Sequence, residues 1–271
     1  MLITMNKAKS AVSFALTAAI MMTSAAALPA SAEETSAVKS VTAGLSAPKI
    51  TKAAKTNNSV TLRWNKVKGA TGYKVYKKVG SKYKTVGTLR SGSTVKFKVK
   101  GLVCAKKYNF KVRAFKKKNG KTSWSKFSPA YSATTKPDYS LYNATLDDAV
   151  ARYGQDPDML DYFFEDIDNN GVKELFAPLM YQYSLTDFEV YTIKNGKAVC
   201  IGRISTEVLS SDGKSYYANM ARQGYYSVIK LKIKKGKLVC KEIDSGYTEG
   251  EYPKYGEFCK QYNVRDRSPL G

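Results

Sequence analysis

The sequence predicts a mainly β protein, in which a β-sandwich is followed by an α+β domain rich in antiparallel hairpins. Apolar and polar residues alternate with a period of two along much of the chain, and short glycine turns separate the alternating runs. Charge divides the chain in two: residues 45–137 hold 22 Lys and 3 Arg with no Asp or Glu, whereas residues 138–271 hold 17 basic and 20 acidic residues. We therefore expect a domain boundary at the linker Thr134–Asp138.

The first 32 residues have the three parts of an export signal. Lys7 and Lys9 form a basic start, Ala11 to Met22 is an apolar run, and Ala30-Ser31-Ala32 fits a signal peptidase site. Cleavage is expected before Glu33, which leaves residues 33–44 as a flexible segment. No later apolar run is long enough to span a bilayer. These features predict a secreted, monomeric protein that remains extracellular or associates with the cell wall.

Four runs within residues 45–137 alternate with the period of a half-buried strand. They are Ser59–Trp64, Tyr73–Tyr76, Val95–Val99 and Tyr108–Ala114. Turns such as Ala70-Thr71-Gly72 separate them. About seven strands of this kind in this length of chain are typical of a sandwich of two antiparallel sheets.

These runs resemble a bacterial fibronectin type III domain over about residues 45–137. The resemblance lies in Val60–Trp64, Gly72–Tyr76, Gly101-Leu102 and Tyr108–Ala114. It implies that Trp64 is a core residue and that Tyr108 forms the tyrosine corner. The family's proline before that tyrosine is absent, and Val103–Lys107 stands in its place. The resemblance implies a spacer or adhesive module, with no catalytic residue.

Lysines in this segment admit two explanations. Strand alternation places Lys96, Lys98 and Lys100 on the face opposite the neighbouring apolar residues, and Lys116, Lys117 and Lys118 form a second cluster. Such side chains could simply solvate the surface. The complete lack of acidic residues favours a site for a polyanion, either a cell-wall polymer or an anionic polysaccharide.

Specific recognition of nucleic acid is not expected. The aromatic residues Trp64, Tyr73, Phe97 and Phe110 all fall on the apolar face of their strands. Aromatic side chains in the core cannot form a platform on which bases stack.

Residues 138–271 predict one helix and a set of antiparallel strands. Thr145, with Asp147 and Asp148 after it, favours a helix start, and Gly154 a stop. The predicted strands are Tyr162–Ile167, Glu174–Met180, Phe188–Ile193, Ala198–Ile204, Tyr225–Ile233 and Leu238–Ile243. The hairpins Ile193–Cys200 and Ile233–Cys240 resemble each other. Either a unit was duplicated or two segments converged on the same tight turn.

The segment Asp166–Glu174 has the spacing of a calcium-binding loop. Asp166, Asp168 and Asn170 place side-chain oxygens at alternate positions, and Gly171 permits the bend that turns the Val172 carbonyl inward. Glu174 supplies a carboxylate at position nine, whereas Ala177 replaces the glutamate that an EF-hand needs at position twelve. Strands, rather than helices, are predicted on both sides.

The motif Asp-x-Asp-x-Asn-Gly-x-x-Glu resembles the calcium loops between strands of integrin-type propeller repeats. The longer segment Asp166–Phe176 resembles a module of secreted Gram-positive proteins. The alternative is a hairpin turn at Asn170-Gly171. Because such a turn does not require three carboxylates, we favour Ca²⁺, with Asp166, Asp168, Asn170, Val172 and Glu174 as ligands.

The chain has no histidine, which excludes Ser-His-Asp and Cys-His catalysis and imidazole zinc sites. Asp166 and Asp168 lie too close in sequence to face each other across a glycosidase cleft. The sequence therefore predicts a non-catalytic binding or adhesion protein. The alternative is an enzyme, or an accessory module of one, that acts on extracellular polysaccharide.

Four cysteines leave two possibilities open. Cys200 and Cys240 occupy equivalent hairpin positions and could form a disulfide if the hairpins lie side by side. Otherwise Cys104, Cys200, Cys240 and Cys259 are free thiols that act as small apolar residues, which we favour.

Overall fold

The mainly β architecture predicted from the sequence is confirmed. A computed structural model describes residues 44–153, 157–179, 187–250, 253 and 255–271. The predicted export signal, residues 33–43 and the predicted helix stop at Gly154 lie outside these residues. Within the described part of the chain, no helix is long and apolar enough to cross a membrane.

The first part of the structure is a sandwich of two antiparallel sheets. Its strands are β1 (Ile50–Lys55), β2 (Val60–Trp64), β3 (Gly72–Val79), β4 (Lys82–Leu89), β5 (Lys96–Val99), β6 (Lys107–Lys118), β7 (Lys121–Trp124) and β8 (Tyr131–Thr134). One sheet has the order β1-β2-β5, and the other has the order β4-β3-β6-β7 with β8 also paired to β6.

Strands β7 and β8 are two pieces of one interrupted edge strand, because both pair with β6. Between them, serine side chains continue the hydrogen bonding. The hydroxyl of Ser125 accepts from the Ala114 N–H at 3.0 Å, and the hydroxyl of Ser128 accepts from the Val112 N–H at 2.9 Å. The two serine hydroxyls thus satisfy N–H groups that a regular strand would pair through its backbone.

The inward faces of the two sheets form the sandwich core. Trp64, Tyr73 and Phe110 are buried there, and the Trp64 and Tyr73 rings meet edge to face at 5.4 Å. Phe97 packs against the edge of this core. The expectation that these four aromatics lie on the apolar face is therefore confirmed.

The second part contains one α-helix and two five-stranded sheets within the described residues. Short 3-10 turns lie at Tyr139–Tyr142, Pro157–Met159 and Ser268–Leu270, and helix α1 is Asn143–Tyr153. The strands are β9 (Asp161–Glu165), β10 (Glu174–Pro178), β11 (Asp187–Lys194), β12 (Lys197–Ser205), β13 (Val208–Ser211), β14 (Tyr216–Arg222), β15 (Tyr225–Lys234), β16 (Lys237–Tyr247), β17 (Glu257–Phe258) and β18 (Gln261–Asn263).

These strands form sheets of order β12-β11-β10-β9-β18 and β16-β15-β14-β13-β17. Phe163, Phe176 and Leu209 lie in the buried cluster between them. The two similar hairpins, β11-β12 and β15-β16, lie in different sheets. They approach each other closely, because a Cβ on Gly202 of β12 would lie only 2.7 Å from the Cβ of Leu238 of β16.

The predicted helix start was wrong. Helix α1 begins at Asn143, so Thr145 is its third residue and cannot be its N-cap. The chain enters the helix directly from the 3-10 turn that ends at Tyr142. Tyr142 is fully buried, and its hydroxyl donates to the carbonyl oxygens of Lys173 and Tyr191. This packing, and not a capping side chain, sets the start of the helix.

A turn of the sandwich packs into the second part of the structure. Cys104 is buried in the same cluster as Tyr142 and Ile193. The carbonyl of Ala105 accepts a 3.3 Å hydrogen bond from the Asn195 N–H at the tip of the β11-β12 hairpin. The segment Val103–Lys107, which replaces the proline turn of the resembled family, is therefore a contact surface.

Candidate functional site

The predicted calcium loop connects β9 to β10. Glu165 and Glu174 are paired across the base of this loop, so residues 166–173 are too many for the two-residue turn that Asn170-Gly171 alone would favour. Positive φ angles occur at Asn169 (55°) and Gly171 (83°). Strands flank the loop on both sides, as the sequence predicts.

The Asp166 carboxylate organises the loop backbone. Its two oxygens accept from the N–H groups of Asn170 at 3.0 Å and Gly171 at 2.8 Å. The side-chain oxygen of Asn170 accepts from the Val172 N–H at 2.8 Å. These hydrogen bonds curl the backbone around its own polar side chains, because each oxygen takes up an N–H that the turn leaves without a backbone partner.

Glu174, the first residue of β10, lies at the base of the loop and supplies its third carboxylate. Its side chain is fully buried, and its carboxylate accepts from the hydroxyl of Thr192 at 2.9 Å and from the Ile167 N–H at 3.1 Å. One carboxylate oxygen from each of Asp166, Asp168 and Glu174 lies within 4.8 Å of the others. The structure thus brings together the three predicted carboxylate ligands.

Burial raises the pKa of Glu174 to about 8, and the negative charges of Asp168 and Asp166 act in the same direction. The hydrogen bonds from Thr192 and Ile167 oppose this rise. Among the described residues, none of the three carboxylates forms a salt bridge with a lysine or an arginine. A cation that binds oxygen ligands would relieve the repulsion among the three carboxylates.

The predicted polyanion-binding lysines fall into two separate groups. Lys96 and Lys98 lie on β5 and Lys100 directly follows it, at the edge of the three-stranded sheet. Lys116, Lys117 and Lys118 end β6 in the other sheet. All six are exposed, but the structure does not bring them together into one site.

A group of aromatic residues on the outside of the sandwich is not predicted by the sequence patterns. Trp124 and Phe127 are exposed beside Lys74, Lys111 and Arg113. The alternation in β6 already separates Lys111 and Arg113 from the core residues. The sequence pattern does not single out Trp124, because its strand is short and entirely polar apart from the tryptophan.

All four cysteines are unpaired in the structure. Cys104 is buried and Cys259 is half-buried, whereas Cys200 and Cys240 are exposed on the two hairpins. The first two therefore match the interpretation as small apolar residues.

The strand order, the buried Trp64 and a tyrosine corner define a sandwich of the immunoglobulin-like class. In that corner the Tyr108 hydroxyl accepts from the Val103 N–H at 2.8 Å, as the resemblance implied. Residues 46–130 match the family model for the Fibronectin type III domain, and this segment of the chain is such a domain. It is a module of the binding or adhesion type.

Solved structures resemble only part of the chain. The FN3tt mut structure is 22% identical, with 34% of this chain and 98% of that chain covered and a TM-score of 0.28. A fibronectin type III domain of human fibronectin type III domain containing protein 3 is 24% identical, with 35% and 87% covered and a TM-score of 0.28.

A beta-1,2-glucanase from Parabacteroides distasonis is 24% identical, with 41% of this chain and 16% of that chain covered and a TM-score of 0.31. The chain thus spans a small fraction of that enzyme. Among curated proteins, none matches the chain.

Proposed function

We propose that this is a secreted, non-catalytic binding protein whose fibronectin type III domain binds an anionic cell-wall polymer or an anionic polysaccharide. The observation that carries the proposal is the net charge of +25 on residues 45–137, which contain no Asp or Glu. No salt bridge between described residues involves this segment. Its cations therefore remain available to an external anion.

The physical basis is electrostatic. Cations without carboxylate partners in the domain sum to a positive field over its surface, which attracts polyanions. A polyanion that binds there releases its condensed counterions, so its affinity falls as salt rises. Lys96, Lys98 and Lys100 are exposed on one sheet and Lys116, Lys117 and Lys118 on the other, so a long polymer could contact both groups.

The second part of the chain is proposed to be stabilised by Ca²⁺. Asp166, Asp168 and Glu174 would hold the ion, with the Asn170 side chain and the Val172 carbonyl completing the oxygen ligands. The close approach of three carboxylates without a lysine or arginine partner among the described residues supports this assignment. When bound, the ion supplies charge neutralisation and ties β9 to β10, and no reaction is assigned to it.

Binding is tested by sedimenting the full chain with purified bacterial cell walls, with and without their anionic polymers, across a salt series. We expect retention on the anionic walls only, with a loss of binding as salt rises. Exchange of Lys96, Lys98 and Lys100 for glutamine should weaken retention without unfolding the protein, because these side chains are exposed. Equal retention on both kinds of wall, or binding that ignores salt, would contradict the proposal.

A further inference from the structure

The outer face of the sheet formed by β4, β3, β6 and β7 carries aromatic rings in contact with cations. Trp124 and Phe127 expose 38% and 41% of their surface there. We call this surface the aromatic–cation face, which consists of Lys74, Tyr76, Tyr83, Lys111, Arg113, Trp124 and Phe127. It lies on the sheet opposite the one that carries Lys96, Lys98 and Lys100.

On this face the cations contact aromatic rings instead of carboxylates. The Lys74 Nζ lies 5.4 Å from the centre of the Trp124 ring, and the Arg113 Cζ lies 5.2 Å from the same ring and 5.0 Å from Phe127. The Lys111 Nζ lies 4.7 Å from the Tyr83 ring. A ring attracts a cation without cancelling its charge, so the cations stay attractive to an anion.

A cavity of about 330 Å³ opens beside Trp124. Its lining includes Lys74, Arg90, Lys117, Thr71, Thr88 and Thr122. This volume lies at the lower end of the range for small-molecule sites. The cavity thus combines one exposed indole with three cations and three hydroxyl-bearing side chains.

The Trp124 indole packs against a second aromatic ring. Phe115 projects from the same face, and its ring lies 5.3 Å from the Trp124 ring. Gly72 makes room for Phe115, because a Cβ at that position would lie 2.4 Å from the phenylalanine ring. Trp124 therefore packs against a buried aromatic residue on the neighbouring strand, while part of its surface stays in solvent.

This combination of groups fits an acidic sugar. A uronic acid residue has an apolar face of C–H groups that packs on an indole, hydroxyls that hydrogen-bond to threonine, and a carboxylate that pairs with lysine or arginine. A run of nucleotide bases fits less well, because the neighbouring rings meet at steep angles, 75° for Tyr76 with Phe127. Base stacking requires successive open ring faces.

We propose that the Trp124 cavity and the aromatic–cation face bind the uronic acid residues of an acidic polysaccharide. This inference rests on the proposed function and deepens it, because it assigns the selective contact with the sugar residues to one face and names one class of polyanion. The field of the whole domain draws in any polyanion, whereas the cavity selects those that carry sugar rings.

The test measures binding of the full chain to polygalacturonate and to inorganic polyphosphate, a polyanion without sugar rings, by titration calorimetry over a salt series. The wild type should keep binding polygalacturonate at salt concentrations that release polyphosphate. Trp124→Ala should weaken polygalacturonate binding by roughly tenfold, the effect expected for loss of one stacked ring, and leave polyphosphate binding nearly unchanged.

Two charge variants complete the design. Lys74→Gln/Lys117→Gln removes two cations from the cavity, and Lys52→Gln/Lys55→Gln removes two exposed cations from β1 of the other sheet. Only the first pair should abolish the preference for polygalacturonate. It also serves as the test if Trp124→Ala proves to be unfolded in a melting curve.

The possible failures are distinguishable. The assignment to this face would be overturned if both charge variants had similar effects and Trp124→Ala kept the preference for polygalacturonate. Salt-dependent binding would in that case still support the proposed function. Equal binding of the two polymers by the wild type would overturn the selectivity for sugars. Failure to bind either polymer at low salt would overturn the inference and the polyanion proposal together.

Discussion

The two parts of this protein treat charge in opposite ways. The sandwich exposes cations with no carboxylate of its own, whereas the second part buries carboxylates. Of the latter, Glu189 is neutralised within the chain, since Arg203 lies 2.7 Å and Arg152 3.7 Å from its oxygens. Glu174 is more deeply buried and has only hydrogen-bond donors as partners. We therefore expect an anionic ligand at the sandwich surface and a cationic ligand at Glu174.

The pKa values show the same contrast. Burial by itself raises the pKa of Glu189, but the hydrogen bond from the Tyr191 hydroxyl and the charge of Arg203 outweigh it and hold this pKa below its ordinary value. For Glu174, burial prevails and the pKa rises to about 8. The depth of burial and the partners supplied by the fold thus decide together whether a carboxylate is ionised at neutral pH.

The largest expected effect is on the free energy of unfolding, and it differs between the two tryptophans of the sandwich. Trp64 is 3% exposed and Trp124 is 38% exposed. Trp64→Ala should reduce the free energy of unfolding by about 3–5 kcal/mol, the usual cost of emptying a large aromatic site. Trp124→Ala should cost only about 1 kcal/mol, because much of its ring is already in water. Urea unfolding of the full chain, followed by circular dichroism, measures both.

Trp64→Phe is the control for shape. The indole Nε1 of Trp64 is buried without a hydrogen-bond partner among the described residues, so phenylalanine loses no hydrogen bond. Its cost should fall well below that of Trp64→Ala. If Trp124→Ala were as destabilising as Trp64→Ala, the outer face would be a second core and not a binding surface.

The next effect concerns Glu174, pH and calcium. The native state of the metal-free protein holds a proton on Glu174 more tightly than the unfolded chain does, because the folded pKa is about 8 and the ordinary value is 4.5. Its stability should therefore fall as pH rises through this window, by on the order of a few kcal/mol. Calcium favours the ionised carboxylate, so it should raise the melting temperature more at pH 8 than at pH 5.

Glu174→Gln should remove the fall with pH and also the response to calcium, and Asp168→Ala should remove the response to calcium. Asp161→Asn, an exposed carboxylate on the neighbouring β9, is the matched control and should change neither. A wild-type melting temperature that millimolar calcium leaves unchanged at pH 8 would show that the loop is only a turn.

Local pattern predicted much of the fold and part of the site. Period-two alternation located most strands, and Asn195-Gly196 and Lys235-Gly236 do adopt the positive φ angles of tight hairpins. Ligand spacing placed Asp166, Asp168 and Glu174 together. These features depend on residues close in sequence, where side-chain direction follows directly from the backbone period.

Features that depend on packing between distant segments were not predictable in this way. The insertion of Cys104 into the second core and the start of α1 behind Tyr142 are both set by tertiary contacts. Trp124 belongs to the same group. Its strand is identified by pairing with β6, and its neighbours Lys74 and Arg113 come from two other strands.

A third prediction tests whether the two parts unfold together. Gly196 and Gly236 occupy equivalent hairpin positions with φ of 78° and 75°. A Cβ on Gly196 would lie 2.4 Å from the Cγ1 of Val103 in the sandwich, whereas a Cβ on Gly236 would meet only the mobile end of Lys194 at 3.5 Å. Gly236→Ala should cost about 1–2 kcal/mol through backbone strain alone.

Gly196→Ala should cost roughly 1 kcal/mol more, because it also presses on Val103. Melting curves of the two variants measure the difference. A Gly196→Ala melting curve that separates into two transitions would show that this contact couples the unfolding of the two parts. Identical costs for both variants would mean that the contact contributes little to stability.

The smallest effect comes from repulsion within the sandwich itself. Lys96 on β5 lies directly opposite Arg63 on β2, and both side chains are exposed, whereas Lys98 two residues later lies opposite Thr61. Like charges directly across an antiparallel pair destabilise it, and opposite charges stabilise it by roughly 0.2–1 kcal/mol. Lys96→Glu should therefore raise the free energy of unfolding at low salt by a few tenths of a kcal/mol more than Lys98→Glu. The difference should vanish near 1 M salt, where the Debye length shrinks to about 3 Å.

Equal gains in stability for Lys96→Glu and Lys98→Glu would point to net charge alone, and no gain would mean that the cations repel each other too weakly to matter. Under the proposed function, Lys96→Glu should also weaken binding to anionic walls, since the cation that destabilises the fold is one that a polyanion would neutralise.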